Sequence, residues 1–373
     1  MHIPPFCPNS ECALHQSAPS QRDWYVRDGH YRSAVFGAIQ RFRCKGCGCR
    51  FSSQTFSIDY AVKRKVSYQR LFSLLISSAG IRDMGRILSA SPQCITNRIS
   101  RLSRQAMAVH ADLLPHLSLA EDLVADGFES FAVSQYFPNN IQLLAGKRSQ
   151  FWFFSDYAHL RRKGRMTEYQ KKRNRRMQAR FTHGRVTVYR SFEELIRSAL
   201  IQIEQSGRRQ VQLFTDEHLS YRHALRSLPA AERSALIHRR CSSTAPRTVS
   251  NDLFSVNYLD RQIRKDLAEH TRQTVQFARN TVNQMERLAL YRAYHNYFKP
   301  YRIRGGEAGR LTHGEKAGIP GKAIGLELKS FFTRRRFYSR IKGTMTGDRH
   351  VWLRAIKTPL KQYAQRLPAY VWA

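Results

Sequence analysis

The sequence predicts a multidomain α/β protein, and three observations carry the prediction. Two pairs of cysteines lie in the first 50 residues, Cys7 and Cys12 in "CPNSEC" and Cys44 and Cys47 in "CKGC". Two helical periodicities broken by "SASP" follow over residues 81–105. From about residue 118, short apolar runs alternate with amphipathic helices, and two of the runs lead into an aspartate. The expected order is a metal-binding β knot over 1–55, a helix-turn-helix unit over 56–112 and a mixed α/β domain over 118–300. A basic C-terminal arm over 301–373 completes it.

Composition bounds the partners. The chain carries 63 Lys+Arg against 27 Asp+Glu, a formal net charge of +36. A balance so basic points to a polyanion, because side chains that neutralise phosphates release condensed counterions. A membrane surface is the rival polyanion. The longest apolar run, around "LFSLLI", is far short of the ~20 residues of a span, and no basic amphipathic helix stands alone. The N-terminus "MHIPPFCPNS" has no charged n-region and no long apolar h-region, so no signal peptide is expected. Seven cysteines in a chain of otherwise intracellular character argue for metal before disulfides.

The β knot comes first. "WYVRDGHYRS" and "AIQRFRC" read as short strands around a turn. Paired thiolates on two knuckles supply the four tetrahedral ligands that zinc prefers. The C-x-x-C of Cys44 and Cys47 is a strong signal; Cys7 and Cys12, with four residues between them rather than two, form a looser pair, with Cys49 and His15 as possible substitutes. So short a block has little core, and zinc would contribute most of its stability.

The helical block begins with "YQRLFSLLISSAG", one amphipathic helix. "IRDMGRILSASPQCITNRISRLSRQ" reads as helix, tight turn and helix. Ile81, Met84 and Leu88 face inward on the first; Ser91 is a good N-cap with Pro92 at the first helical position. Ile95, Ile99 and Leu102 form the apolar side of the second. Gln93, Thr96, Asn97, Arg98 and Arg101 are left outward, the polar and amide-rich face of a helix that enters a major groove.

In the α/β region "LVADGFESFAV", "NIQLLAG", "FWFFSDYAH" and "RVTVY" read as strands. "SFEELIRSALIQIEQSG" reads as a helix with a Ser191 cap and a Gly207 stop. "VQLF" is a buried strand ending at Asp216, and "ALIHRR" is another strand. Asp126 follows "LVA" and Asp216 follows "VQLF". A carboxylate at the end of a buried strand is costly unless paired or bound to a cation. Two such carboxylates and one polar ligand from a later helix are the minimum set for two-metal phosphoryl transfer. That helix is "SVNYLDRQIRKDLAEH". Val256, Leu259, Ile263 and Leu267 form its apolar stripe, and Asn257, Asp260 and Arg264 sit one position further round.

This order of elements, with "RCKGCGCRF", "FTDEH", "DRQIRKDLAEHTRQTVQFAR" and "YHNYFKPYR", resembles the DDE transposases of small bacterial insertion sequences. The group with a zinc-finger N-terminal half is the nearest in pattern, and the resemblance covers about residues 5–310. It implies an RNase H-like catalytic fold and three acids that bind Mg²⁺ (or Mn²⁺). It also implies double-stranded DNA partners, both element ends and target, joined in a homodimer or higher assembly. A bacterial cytoplasmic, nucleoid-associated setting goes with it. The family commonly shows Glu-Arg-x-x-Asn, then Leu-Arg, an Arg-Lys-Thr-like turn and Phe. Here "RQTVQF" at 272–277 matches the turn and Ile263-Arg264 the Leu-Arg, which puts the family's glutamate on Asn257 and its asparagine near Asp260. Asp260, the better hard ligand, is the first choice for the third acid. Asn257 lies on the same face, and Glu286 is the alternative. Arg264, one turn beyond Asp260, is placed to contact the DNA backbone. The displaced acid also admits a decayed or repurposed DNA-binding regulator on the same scaffold, and an RNase H-like nuclease acting on RNA–DNA hybrids is a third class.

Two basic segments remain. Residues 161–180 carry ten Lys or Arg, an insertion expected to cross the active face as a loop or helix ordered by DNA. "FFTRRRFYSRIKG" interleaves arginine with aromatics, which suits phosphate contact and base stacking; a packing arm for a dimer is the alternative.

Overall fold

The computed structural model describes residues 4–16, 22–181, 187–242, 244–271, 274–302, 306, 310–343 and 345–361. A short turn of helix, α1 (Ala13–Gln16), precedes the first sheet, in which β1 (Tyr25–Ser33), β2 (Gly37–Cys44) and β3 (Arg50–Ser52) pair antiparallel in that order. The β1–β2 hairpin closes at Gly37, whose φ of +71° is left-handed and open to glycine at no steric cost. Phe6, Trp24, Phe42, Phe51 and Phe56 make a small core of their own, and Phe337 from the far end of the chain completes it.

Helices α2 (Tyr68–Ile76), α3 (Ile81–Ile87) and α4 (Pro92–Leu113) follow. Ser91 caps α4 as expected: its hydroxyl accepts the Cys94 N–H at 3.2 Å, with Pro92 in the first turn. Ile95, Ile99 and Leu102 are buried. The same helix continues through Ala106, Met107 and Val109 into the main core and packs along α10 (Thr281–Ala293). One hydrophobic cluster therefore runs through both the helical block and the sheet domain. The boundary near residue 112 separates elements, not cores.

The second sheet has β4 (Leu123–Phe131), β5 (Pro138–Gly146), β6 (Trp152–His159), β7 (Val211–Thr215) and β8 (Leu236–Arg240) in the order β6-β5-β4-β7-β8. β4 pairs with β5 and β5 with β6 antiparallel, whereas β4 pairs with β7 and β7 with β8 parallel. Helix α6 (Val188–Gln205) packs on β5 and β6, while α9 (Phe254–Asp266) packs on β4 and β5. The helices α5 (Glu168–Ala179), α7 (Leu219–Ser227) and α8 (Ala230–Ser234) complete the connections.

The strand expected at "RVTVY" is not formed by its described residues. Thr187 instead caps α6, accepting the Arg190 N–H, and Val188 and Tyr189 open the helix; residues 182–186 lie outside the described residues. Ser191, the expected cap, is buried inside it. The reason is periodicity: Val188, Phe192, Leu195, Ile196, Ala199 and Ile203 share one helical face, which outweighs the local β preference of Val-Thr-Val-Tyr. Gly207, with φ +71°, ends α6 as read.

After α10 a single π-helical turn, Tyr294–Phe298, presents Asn296 to the sheet edge. Its amide accepts the Trp152 N–H and donates to the Trp152 carbonyl, both at 2.9 Å, replacing a missing ladder partner. The short helices α11 (His313–Lys316), α12 (Gly321–Leu328) and α13 (Thr346–Trp352) follow. The C-terminal region is not a free arm. Phe331, Phe337 and Trp352 are buried in the chain's own cores, and the Arg335 N–H donates to the Phe56 carbonyl at 2.8 Å. Residues 362–373 lie outside the described residues. No helix among the described residues is long and apolar enough to cross a membrane.

Candidate functional site

Two sites emerge. In the first, the sulfurs of Cys7, Cys12, Cys44 and Cys47 lie within 4.8 Å of one another. Cys7 Sγ is 3.6 Å from Cys47 Sγ and Cys12 Sγ is 3.9 Å from Cys44 Sγ. A tetrahedral zinc with Zn–S bonds near 2.3 Å sets its ligands ~3.8 Å apart, so the spacing is that of a four-thiolate metal site. A tight turn holds the second knuckle: the Gly48 N–H donates to the Cys44 carbonyl and the Cys44 N–H to the Cys49 carbonyl. Burial pushes the Cys7 thiol up. At Cys47 burial also raises the thiol, but N–H and thiol donors around it outweigh that and lower it to about 7. The substitute ligands fall away. The Cys49 thiol sits 3.8 Å from the Arg50 carbonyl, outside the cluster. His15 is buried with both ring nitrogens engaged: Nδ1 donates to the Cys7 carbonyl at 2.7 Å and Nε2 accepts from Ser339 at 2.8 Å.

The second site is a cleft of about 750 Å³ whose lining includes Asp126, Asp216, Asn257 and Asp260. The sheet register explains the first pair. Val124 is level with Phe214 where β4 and β7 pair, so Asp126 and Asp216, each two residues further on, stand level at the point where the strands part. Crevices beyond the carboxyl ends of parallel strands are where α/β sheets bind ligands. Helix α9 supplies the rest. Its stripe of Val256, Leu259 and Ile263, with Leu267 just past its end, is buried against the sheet domain, and that fixes its rotation. Asn257 and Asp260 consequently reach the cleft from its edge.

The electrostatics are those of crowded carboxylates. Asp126 is raised to about 6 by burial and then by Asp216, against the Gly127 N–H it accepts at 2.7 Å and a hydrogen bond from Tyr221. Asp260 is raised to about 8 by burial and then by Asp126, offset by Arg264 and Arg247. Among the described residues, only the cysteines converge to the spacing of a single ion. The three aspartates share the cleft without meeting that spacing. A bound cation would reverse the sign of the repulsion that raises Asp126 and Asp260.

Glu286, the alternative third acid, is elsewhere. It is 1% exposed within α10, accepts the Ser100 hydroxyl at 2.6 Å, and lies 3.9 Å from Arg104 and 3.6 Å from Arg354. It is a buried ion-pair partner that joins α10 to α4, not a cleft residue. Arg264 does line the cleft, but its guanidinium also donates to the Glu129 carbonyl at 2.9 Å and stacks on Phe128.

The reading of α4 needs a correction. Gln93 and Asn97 are exposed and Thr96 is half-buried, as expected of a reading face. Arg98 and Arg101 are only 5% and 8% exposed. Arg98 donates to the Arg64 carbonyl at 2.8 Å, and Arg101 donates to the carbonyls of Ile58 and Tyr60 at 2.8 and 2.6 Å. Both point inward to hold the linker between β knot and helices. Helical spacing alone could not separate them from outward residues, because their partners are backbone carbonyls over 30 residues away.

The sequence reading also missed cleft residues. Tyr221 on α7 reaches Asp126 across the strand ends. Asn140 on β5 lies over Gly127, where a Cβ would stand 2.2 Å from its amide nitrogen, so only glycine leaves room for it beside Asp126. Arg161, Arg162 and Lys163 form one rim, and Arg247 and Arg261 stand on another. The charge run at 161–180 was the available signal for the first rim. In comparisons with protein-family models and with characterised proteins, the chain gives no match.

Proposed function

We propose that the chain is a DDE-type DNA transposase that binds element ends and performs metal-dependent strand cleavage and transfer by in-line displacement. The observation that carries this reading is the set of three aspartates, from β4, β7 and α9, on one cleft with arginine and lysine on its rims. The sheet, three antiparallel strands extended by two parallel ones, supports an RNase H-like catalytic domain. The thiol cluster supports a zinc-ribbon-like knot, and α3 and α4 support a helix-turn-helix that docks duplex DNA.

In this reading Asp126 and Asp216, level on adjacent strands, and Asp260 from α9 would hold the divalent cations. Such cations, when bound, activate the attacking oxygen and stabilise the leaving one. Tyr221 holds the Asp126 carboxylate by its hydroxyl, and Asn140 packs against the neighbouring Gly127. The basic rims hold the phosphates on either side of the scissile bond, and Gln93, Thr96 and Asn97 face base edges.

The test is cleavage of DNA carrying the element ends, with Mg²⁺ or Mn²⁺. Wild type should cut and join only with the cation, and Asp126→Asn and Asp216→Asn should bind DNA but not cut. Undiminished cleavage by those variants overturns the site assignment. Wild type that binds but never cuts supports a non-catalytic regulator, and preference for RNA–DNA hybrids supports a nuclease.

A further inference from the structure

The basic insertion contains a capped helix of 12 residues that buries none of them. Helix α5 is closed by a capping box in which Thr167 and Gln170 satisfy each other's backbone N–H groups, yet none of its residues is buried. The stripe that leans on the body is Gln170, Asn174, Met177 and Gln178, nearly all polar. Gln178 donates to the Tyr136 carbonyl at 2.7 Å, and Arg162 and Arg173 lie over the Tyr136 ring. Lys171 is held by Glu168 at 2.7 Å. A helix that buries so little apolar surface contributes little to the core.

Its outer surface has a definite pattern. Tyr169, Lys172 and Arg176 share one face at i, i+3 and i+7, flanked by Arg175. Tyr169 is 70% exposed, a large aromatic left in water among cations. An isolated phosphate-binding patch has no use for such a ring, whereas a strand with unpaired bases does: phosphates track the basic groove and bases stack on the aromatic. A duplex keeps its base faces stacked inside and offers none to Tyr169. The helix also starts where the cleft ends. Arg161, Arg162 and Lys163 line the aspartate cleft, and α5 begins five residues after Lys163. At ~1.5 Å per residue α5 is ~18 Å long, the rise of about five nucleotides of one strand.

We propose that α5 is a guide for single-stranded DNA, carrying the unpaired strand that runs out of the aspartate cleft, with Tyr169 stacking a base and Lys172, Arg175 and Arg176 holding phosphates. This rests on the transposase reading and adds to it a partner of defined state: a duplex end that has been opened. Binding is measured by fluorescence anisotropy without added divalent cation, on a blunt duplex and on the same duplex bearing an unpaired tail of about five nucleotides.

Wild type binds the tailed duplex more tightly. Tyr169→Ala lowers that preference on the order of ten-fold and Tyr169→Trp restores it. The triple change Lys172→Gln, Arg175→Gln and Arg176→Gln flattens the dependence of log affinity on log salt by about two, at ~0.7 for each single-strand phosphate no longer neutralised. All of these side chains are exposed, so melting temperatures stay unchanged, which is checked in parallel. If wild type binds blunt and tailed DNA alike, or the variants keep both the preference and the slope, the guide is wrong while the transposase reading stands. If wild type binds no DNA, that reading falls with it.

Discussion

Replacing Glu286 with alanine tests whether this acid is a strut or a catalyst. The carboxylate is fully enclosed, accepts the Ser100 hydroxyl, and faces Arg104 and Arg354 at 3.9 and 3.6 Å. Arg104 is buried too; its guanidinium donates to the carbonyls of Ser100 and Trp352, each at 2.9 Å. Removing one partner of a buried pair leaves an uncompensated charge and costs about 3–5 kcal/mol. The neutral acceptors that remain around Arg104 place this site at the lower end, about 3 kcal/mol. The shared core makes a cooperative unit of about 300 residues, for which about 2.1 cal/mol/K per residue turns 3 kcal/mol into a fall of about 5 °C in melting temperature. Tryptophan fluorescence follows it, since Trp352 packs 5.9 Å from the Arg104 guanidinium. The double variant Glu286→Leu with Arg104→Met should recover most of the loss, as apolar replacements of buried pairs do. Folded Glu286→Gln should still cleave DNA. A loss of less than about 1 kcal/mol in Glu286→Ala, or cleavage abolished in folded Glu286→Gln, would refute the reasoning.

Other outcomes follow from the same geometry. Protein purified without chelator should hold one zinc per chain; Cys44→Ser should lose it and unfold the β1–β3 sheet, whereas Cys49→Ser should keep it, as metal analysis and circular dichroism will show. Arg101→Ala should destabilise the protein by about 1.5–3 kcal/mol by removing charged donors from two carbonyls, read as a fall in melting temperature. Gln93→Ala and Asn97→Ala should leave that temperature unchanged and weaken duplex binding by about 1–3 kcal/mol each, read in a binding titration. Gly127→Ala forces Asn140 away from its place beside Asp126, so cleavage should fall sharply in a protein that still folds; full activity would show that Asn140 has no part in setting the site.

What was legible in the sequence was the local logic. The α9 stripe fixed which polar residues reach the cleft, because a helix that must bury Val256, Leu259, Ile263 and Leu267 has no freedom of rotation left. Ser91 and Pro92 fixed the start of α4, and the paired cysteines fixed their own cluster. What stayed hidden depended on distant partners. Arg98 and Arg101 read as outward because nothing near them in sequence announces the carbonyls they hold. Glu286 read as a possible ligand because Ser100 lies 186 residues away. Phe337 read as part of a nucleic-acid arm, yet it closes the core of the β knot over 280 residues earlier. Asn140 and Tyr221 enter the cleft only through strand register and helix packing, neither of which composition encodes.

Electron paramagnetic resonance counts bound Mn²⁺ and so tests the proposal that Asp126, Asp216 and Asp260 together hold two divalent cations. Zinc-loaded wild type should bind about two Mn²⁺ ions per chain, and each of Asp126→Asn, Asp216→Asn and Asp260→Asn should lose at least one of them while Glu286→Gln loses none. Wild type that takes up no Mn²⁺, or Asp variants that bind it as wild type does, would contradict the account.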